Sequence, residues 1–126
     1  MAGEPGLRAR RVATQIRARL AELLSREVSD PILSSVIVTT VELPDDLSIA
    51  RVKARLLTGG EREDRRQQSV RALERASNRL RRGLGRSLGL KRVPELRFTY
   101  DTGVDAAQRV DELLAEIARE PKAPDK

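Results

Sequence analysis

The chain has 126 residues, 39% hydrophobic and 35% charged, with 25 Lys and Arg against 19 Asp and Glu for a net charge of +6. That length fits one domain burying roughly two-thirds of its unfolded surface, and the apolar content is too high for wholesale disorder. The absence of Cys and His excludes thiolate chemistry, disulfides, imidazole acid–base catalysis and the usual zinc sites.

Residues 1–7, with Gly3, Pro5 and Gly6, read as a flexible tail that lacks the apolar stretch of a signal peptide. From Arg8 to Val28, the apolar residues Val12, Ile16, Leu20, Leu23 and Leu24 follow an amphipathic helical period. Asp30-Pro31 ends that helix, because the residue before proline is pushed out of helical geometry. Val36–Leu43 is rich in Val, Ile and Thr and predicts a strand. Pro44-Asp45-Asp46 is turn chemistry, and Ser48–Leu57 predicts the hairpin partner. In that second strand Ala50, Val52, Ala54 and Leu56 alternate with Arg51, Lys53 and Arg55, so one face meets the core and the other meets water.

After Thr58-Gly59-Gly60, the spacing predicts a helix over Asp64–Arg75 and a second over Arg79–Leu88, in which Leu80, Leu84 and Leu88 stack on adjacent turns. Ala76-Ser77-Asn78 between them is a point where the axis can bend. A loop carrying Lys91 and Arg92 lies between Gly89 and Pro94. Leu96, Phe98 and Tyr100 alternate as a third strand, and a last helix starting near Asp105 uses Val110, Leu113, Leu114 and Ile117. The expected organisation is a tail over 1–7, one α+β domain over 8–118 and a flexible tail over 119–126.

Of the 25 basic residues 21 are arginine, whose guanidinium fork grips phosphate oxygens in two places where an ammonium is a point charge. The charge is unevenly placed. Residues 61–92 hold eleven basic residues against four acidic ones, a net of +7, whereas residues 93–126 hold five against eight, a net of −3. At about 100° per residue, Arg82 and Arg86 fall within about 60° of Arg79, opposite the leucines. Arg75 joins this stripe if the axis is not turned much at Ser77. The candidate nucleic-acid ligands are therefore Arg75, Arg79, Arg82, Arg86, Lys91 and Arg92, with Arg51, Lys53 and Arg55 as a second patch. Aromatics make up 2% of the chain, and Phe98 and Tyr100 share the core face of a strand. Base-stacking grips on single strands are disfavoured on that ground.

These elements in this order resemble the ribosome-binding factor A family. The likeness spans Arg8 to Ile117. It rests on Arg11-Val12, Val28-Ser29-Asp30-Pro31, Val41-Glu42-Leu43 and Asp46-Leu47-Ser48-Ile49-Ala50. It continues through Ala72-Leu73, Ala76-Ser77-Asn78-Arg79-Leu80-Arg81 and Val93-Pro94-Glu95-Leu96-Arg97-Phe98 to Asp101. The resemblance implies a type-II KH-like fold, α-β-β-α-(kink)-α-β, here with an additional C-terminal helix. It also implies a cytoplasmic, non-catalytic assembly factor that binds the small (30S) ribosomal subunit and its 16S rRNA. Such a factor assists late maturation, including 16S 5′-end processing, and supports growth in the cold. The family carries an Ala-x-Gly kink between the two helices, matched here by Ala76, Ser77 and Asn78, with Asn78 departing from the glycine. No Gly-x-x-Gly lies between the helices, so the usual KH grip on four nucleotides is not expected.

Other readings weigh less. An enzyme would have to be built from pairs such as Asp45/Asp46 or Asp101/Asp105, which suit a turn and a helix cap, and Gly83-Leu84-Gly85 lies inside a helical period rather than after a strand. A DNA-binding module or a general protein-interaction module shares the electrostatics, but little Asn or Gln on the arginine face serves to read adenine. No catalytic residue, metal site, cofactor, small-molecule substrate or membrane contact is expected, and a monomer is.

Overall fold

Val12, Ile16, Leu20 and Leu24 recur every four residues, and in the computed structural model they line the buried side of helix α1, Leu7–Ser25. The structure describes residues 5–27 and 29–103, together with 111, 114, 115, 117 and 118. α1 stops at Ser25, short of the expected Val28, which lies outside the described residues. The Glu27 N–H bonds the Leu24 carbonyl three residues back, a tighter turn than the α-helix uses. Pro31 then opens a 3-10 turn, Pro31–Ser35, that the sequence pattern did not reveal; it plugs Leu33 into the core at 0% exposure.

Strands β1 (Val36–Glu42) and β2 (Ile49–Leu56) pair antiparallel, with an irregularity between Val38 and Thr40. Their connection turns at Pro44–Leu47. The Leu47 N–H reaches the Pro44 carbonyl, and Leu47, at φ 57°, has the one positive φ of any non-glycine among the described residues. Asp46 braces the turn by accepting from both the hydroxyl and the N–H of Ser48. Helix α2, Glu63–Leu88, then crosses over the sheet to β3, Glu95–Tyr100, which lies parallel beside β2. The sheet order is β1-β2-β3. Both long helices lie on one face of it, over Ala50, Val52, Ala54, Leu56, Leu96 and Phe98.

The fold class is the expected one, a small α+β domain of KH-like type. Its helical layer corrects one detail. Where two helices with a junction at Ala76-Ser77-Asn78 were expected, α2 runs unbroken through those residues. Asn78 is helical rather than left-handed. Ala76, at 1% exposure, packs into the core. Ala is the best helix former, and Ser and Asn cost only a few tenths of a kcal/mol each against the long flanking helix. The helix ends at Gly89, whose φ of 61° closes the last turn through a bond from its N–H to the Gly85 carbonyl. Of the expected last helix, Asp111, Leu114, Ala115, Ile117 and Ala118 are helical. Asp105, Val110 and Leu113 lie outside the described residues.

Candidate nucleic-acid interface

The surface of α2 divides into three strips. Ser69, Ala72, Leu73, Ala76, Leu80, Gly83 and Leu84 are buried. On the side facing α1, Gly83 allows close approach, since a Cβ there would stand 3.0 Å from Leu23 Cδ1. On the side facing β3, a Cβ on Gly85 would stand 3.0 Å from a Val93 methyl. The two glycines are packing positions, which explains a Gly-Leu-Gly run inside a helix. The third strip faces solvent and carries Arg71, Arg75, Arg82 and Arg86, all exposed.

The structure sorts the sequence candidates by what already holds them. Arg75 Nη2 lies 3.0 Å from Asp30 Oδ2, and Arg79 pairs with Glu27. Both carboxylates come from the short segment joining α1 to the 3-10 turn. By contrast, Arg82, Arg86, Lys91 and Arg92 are exposed and have no ion-pair or hydrogen-bond partner among the described residues. Arg86 sits in the last turn of α2, where the helix dipole favours a cation. Lys91 and Arg92 follow a few residues beyond the Gly89 cap, so the unpaired charges cluster toward the C-terminal end of α2.

Arg81, passed over in the sequence, explains why the Lys91-Arg92 loop is held there. Its Nε donates to the Pro94 carbonyl at 3.1 Å and its Nη2 to the Val93 carbonyl at 3.0 Å. Arg66 is likewise structural. Its guanidinium lies 5.5 Å from the centre of the Tyr100 ring and its Nε donates to the Gly60 carbonyl. Helical phase alone separates these arginines from the solvent stripe.

The second patch lies elsewhere. Arg51 and Lys53 are exposed on the face of β2 opposite its buried alanines and valine, so the sheet itself separates them from the α2 stripe. Arg97, also missed from the sequence, stands in register beside Arg51 and pairs with Glu95 at 3.0 Å. Its alternation with Leu96 and Phe98 is the signal that places it there. Arg55 departs from the exposed position expected of it. It is half-buried, its Nη1 donates to the Leu56 carbonyl at 3.3 Å, and its Nε has no hydrogen-bond partner among the described residues. The candidate residues thus form two basic surfaces on opposite faces, and among the described residues the α2 surface holds more unpaired cations.

Among the described residues, Asp46 and Asp64 are more acidic than an ordinary aspartate. Asp46 is held below the usual carboxylate range by the Ser48 hydroxyl and then by the Ser48 N–H. Asp64 is lowered chiefly by its hydrogen bond from Arg62. Both are exposed and lie in a turn and a first helical turn, where acidic residues serve as local braces. Among the described residues no group of three or more acidic side chains is placed to hold a metal ion. No described helix is long and apolar enough to cross a membrane.

The sequence model of the family described as ribosome-binding factor A matches residues 8–114. A ribosome-binding factor A from Sorangium cellulosum is 47% identical over 110 residues, covering 87% of this chain and 88% of that protein. One from Hydrogenovibrio crunogenus is 36% identical over 112 residues, covering 89% and 93%. Among solved structures, the crystal structure of ribosome-binding factor A from Thermus thermophilus superposes with a TM-score of 0.61 at 29% identity, covering 73% of this chain and 94% of that one. A homology model of Thermus thermophilus ribosome-binding factor A, fitted into a cryo-EM map of its 30S complex, gives a TM-score of 0.56 at 32% identity, covering 69% and 88%.

Proposed function

The chain belongs to the ribosome-binding factor A family, and from that premise we propose that it binds the small ribosomal subunit through 16S rRNA and assists its late maturation. In this reading the protein is a cytoplasmic, monomeric and non-catalytic factor. It supports 16S 5′-end processing and growth in the cold by favouring one conformation of the RNA. A bound ligand shifts a folding equilibrium only through its differential affinity for the two conformations, so a rigid surface of fixed charges is what the task requires.

The observation that carries the reading is the set of exposed cations Arg82, Arg86, Lys91 and Arg92 at the C-terminal end of α2, unpaired among the described residues. Guanidinium groups engage phosphates bidentately, and the helix holds Arg82 and Arg86 one turn apart. Arg51 and Lys53 on the open sheet face are secondary ligands. Phosphate contacts release counterions, so binding to isolated small subunits must depend steeply on salt. With about five phosphates engaged, affinity falls several hundred-fold for a fourfold rise in salt. A nearly flat salt response in that titration contradicts the mechanism.

A further inference from the structure

Two of the arginines that line the proposed RNA face are already neutralised within the molecule, by carboxylates that serve no visible capping role. Asp30 and Glu27 are more sheltered than their partners. Their side chains are 28% and 15% exposed, against 65% for Arg75 and 47% for Arg79. The carboxylates therefore lie beneath guanidinium groups whose outer sides remain open to a ligand. Beside the first pair, a shallow groove of about 370 Å³ runs between the 3-10 turn and α2, lined by Asp30, Pro31, Ile32, Gln68, Arg71 and Arg75. Its donors, Arg71, Arg75 and the Gln68 amide, are of the chemical kind that can hold a phosphate. Its one acidic member is the carboxylate now on Arg75.

We propose that Asp30 and Glu27 are built-in counterions of Arg75 and Arg79 that set the selectivity of this face, so that only an RNA able to seat a phosphate in the groove between the 3-10 turn and α2 takes their place. The inference rests on the RNA-binding reading given above and adds to it. A generic phosphate polymer meets a patch with no net charge at these four residues and binds through Arg82, Arg86, Lys91 and Arg92. A shaped RNA that delivers a phosphate to the groove engages Arg75 as well, and Arg79 one turn along. Specificity is a difference of affinities, and a built-in competitor lowers the affinity of the wrong partner more than that of the right one. Exposed ion pairs are weak, typically below about 1 kcal/mol, so a well-placed phosphate is able to displace them.

The test compares binding to isolated small ribosomal subunits with binding to a short non-ribosomal RNA duplex across a salt series. For Glu27→Gln/Asp30→Asn the expected result is about tenfold tighter binding to the duplex and a steeper salt slope, by about one unit per arginine released. Subunit affinity should change less than about threefold. A second variant, Glu27→Gln/Asp30→Asn/Arg75→Gln/Arg79→Gln, keeps the patch neutral and leaves no carboxylate unpaired. It should leave duplex binding within about twofold and weaken subunit binding by about tenfold. The proposal is overturned if the first variant leaves duplex affinity unchanged or lowers it, or if the second weakens duplex and subunit binding equally. Weaker subunit binding by the first variant also overturns it, making the carboxylates positioning residues instead. Failure of the underlying reading looks different, because Arg82→Ala/Arg86→Ala would then leave both partners bound as before.

Discussion

Arg81 and Arg82 are adjacent in sequence but differently placed, Arg81 bonded to the loop before β3 and Arg82 exposed, and one pair of substitutions separates a structural role from the proposed binding role. Arg81→Met keeps most of the aliphatic stem but removes two hydrogen bonds, to the carbonyls of Val93 and Pro94. Pro94 is among the most deeply buried residues, so its carbonyl finds no ready replacement from solvent. Charge-assisted bonds reach 1.5–3 kcal/mol each, but Arg81 is only half-buried, and about 1 kcal/mol apiece is the appropriate figure. The expected loss is about 2 kcal/mol, which for a chain of this size lowers the melting temperature by about 8 °C. Arg82→Met, on the solvent strip, should change stability by less than about 0.5 kcal/mol while weakening subunit binding and flattening its salt dependence. Circular-dichroism melts and subunit co-sedimentation on both variants provide the assay. Equal melting temperatures, or a larger drop for Arg82→Met, would refute this division of labour.

Because α2 is continuous through Asn78, Asn78→Ala should raise stability by about 0.5 kcal/mol through helix propensity, read as a higher urea midpoint; a loss of stability would mean that Asn78 serves a bend. The Leu56 N–H at the end of β2 donates to the Tyr100 hydroxyl at 2.9 Å, so Tyr100→Phe should cost about 1–2 kcal/mol, and unchanged chemical unfolding would show that the bond contributes nothing. The Asp46 carboxyl is depressed in the folded state, so its contribution is present above about pH 4 and is lost as pH falls through the folded value. Asp46→Asn should therefore flatten the acid limb of a stability–pH profile, and an acid limb identical to the parent's would contradict that assignment.

Period and alternation made most of this fold legible. The two-residue repeat in Ala50–Leu56 placed four side chains on the core face, and all four are buried. The four-residue spacing of Leu80 and Leu84 set the phase of α2 and so the solvent face of Arg82 and Arg86. The 3-10 turn carries no comparable period, since five residues give too little repeat, and Asp30-Pro31 signalled only the end of α1. The continuity of α2 was obscured because Ser77 and Asn78 weaken a local helix that burial of Ala76 and Leu80 then sustains. Ion pairing was not legible at all. The Arg75–Asp30 pair joins residues 45 apart and the Arg79–Glu27 pair residues 52 apart, so only the packing of α1 on α2 reveals which arginines are already engaged. Arg81 shows the same limit, being one helical step away from the candidate ligand Arg82 yet turned toward the β3 loop.

The most direct test of the central claim is co-sedimentation of the protein and its Arg82→Ala/Arg86→Ala variant with separated small subunits, large subunits and joined ribosomes, at low and moderate salt. The account predicts selective, salt-sensitive migration of the parent with small subunits, and loss of that migration in a variant whose melting temperature is unchanged. Equal binding of the parent to all three particles, or undiminished binding by the variant, would contradict it.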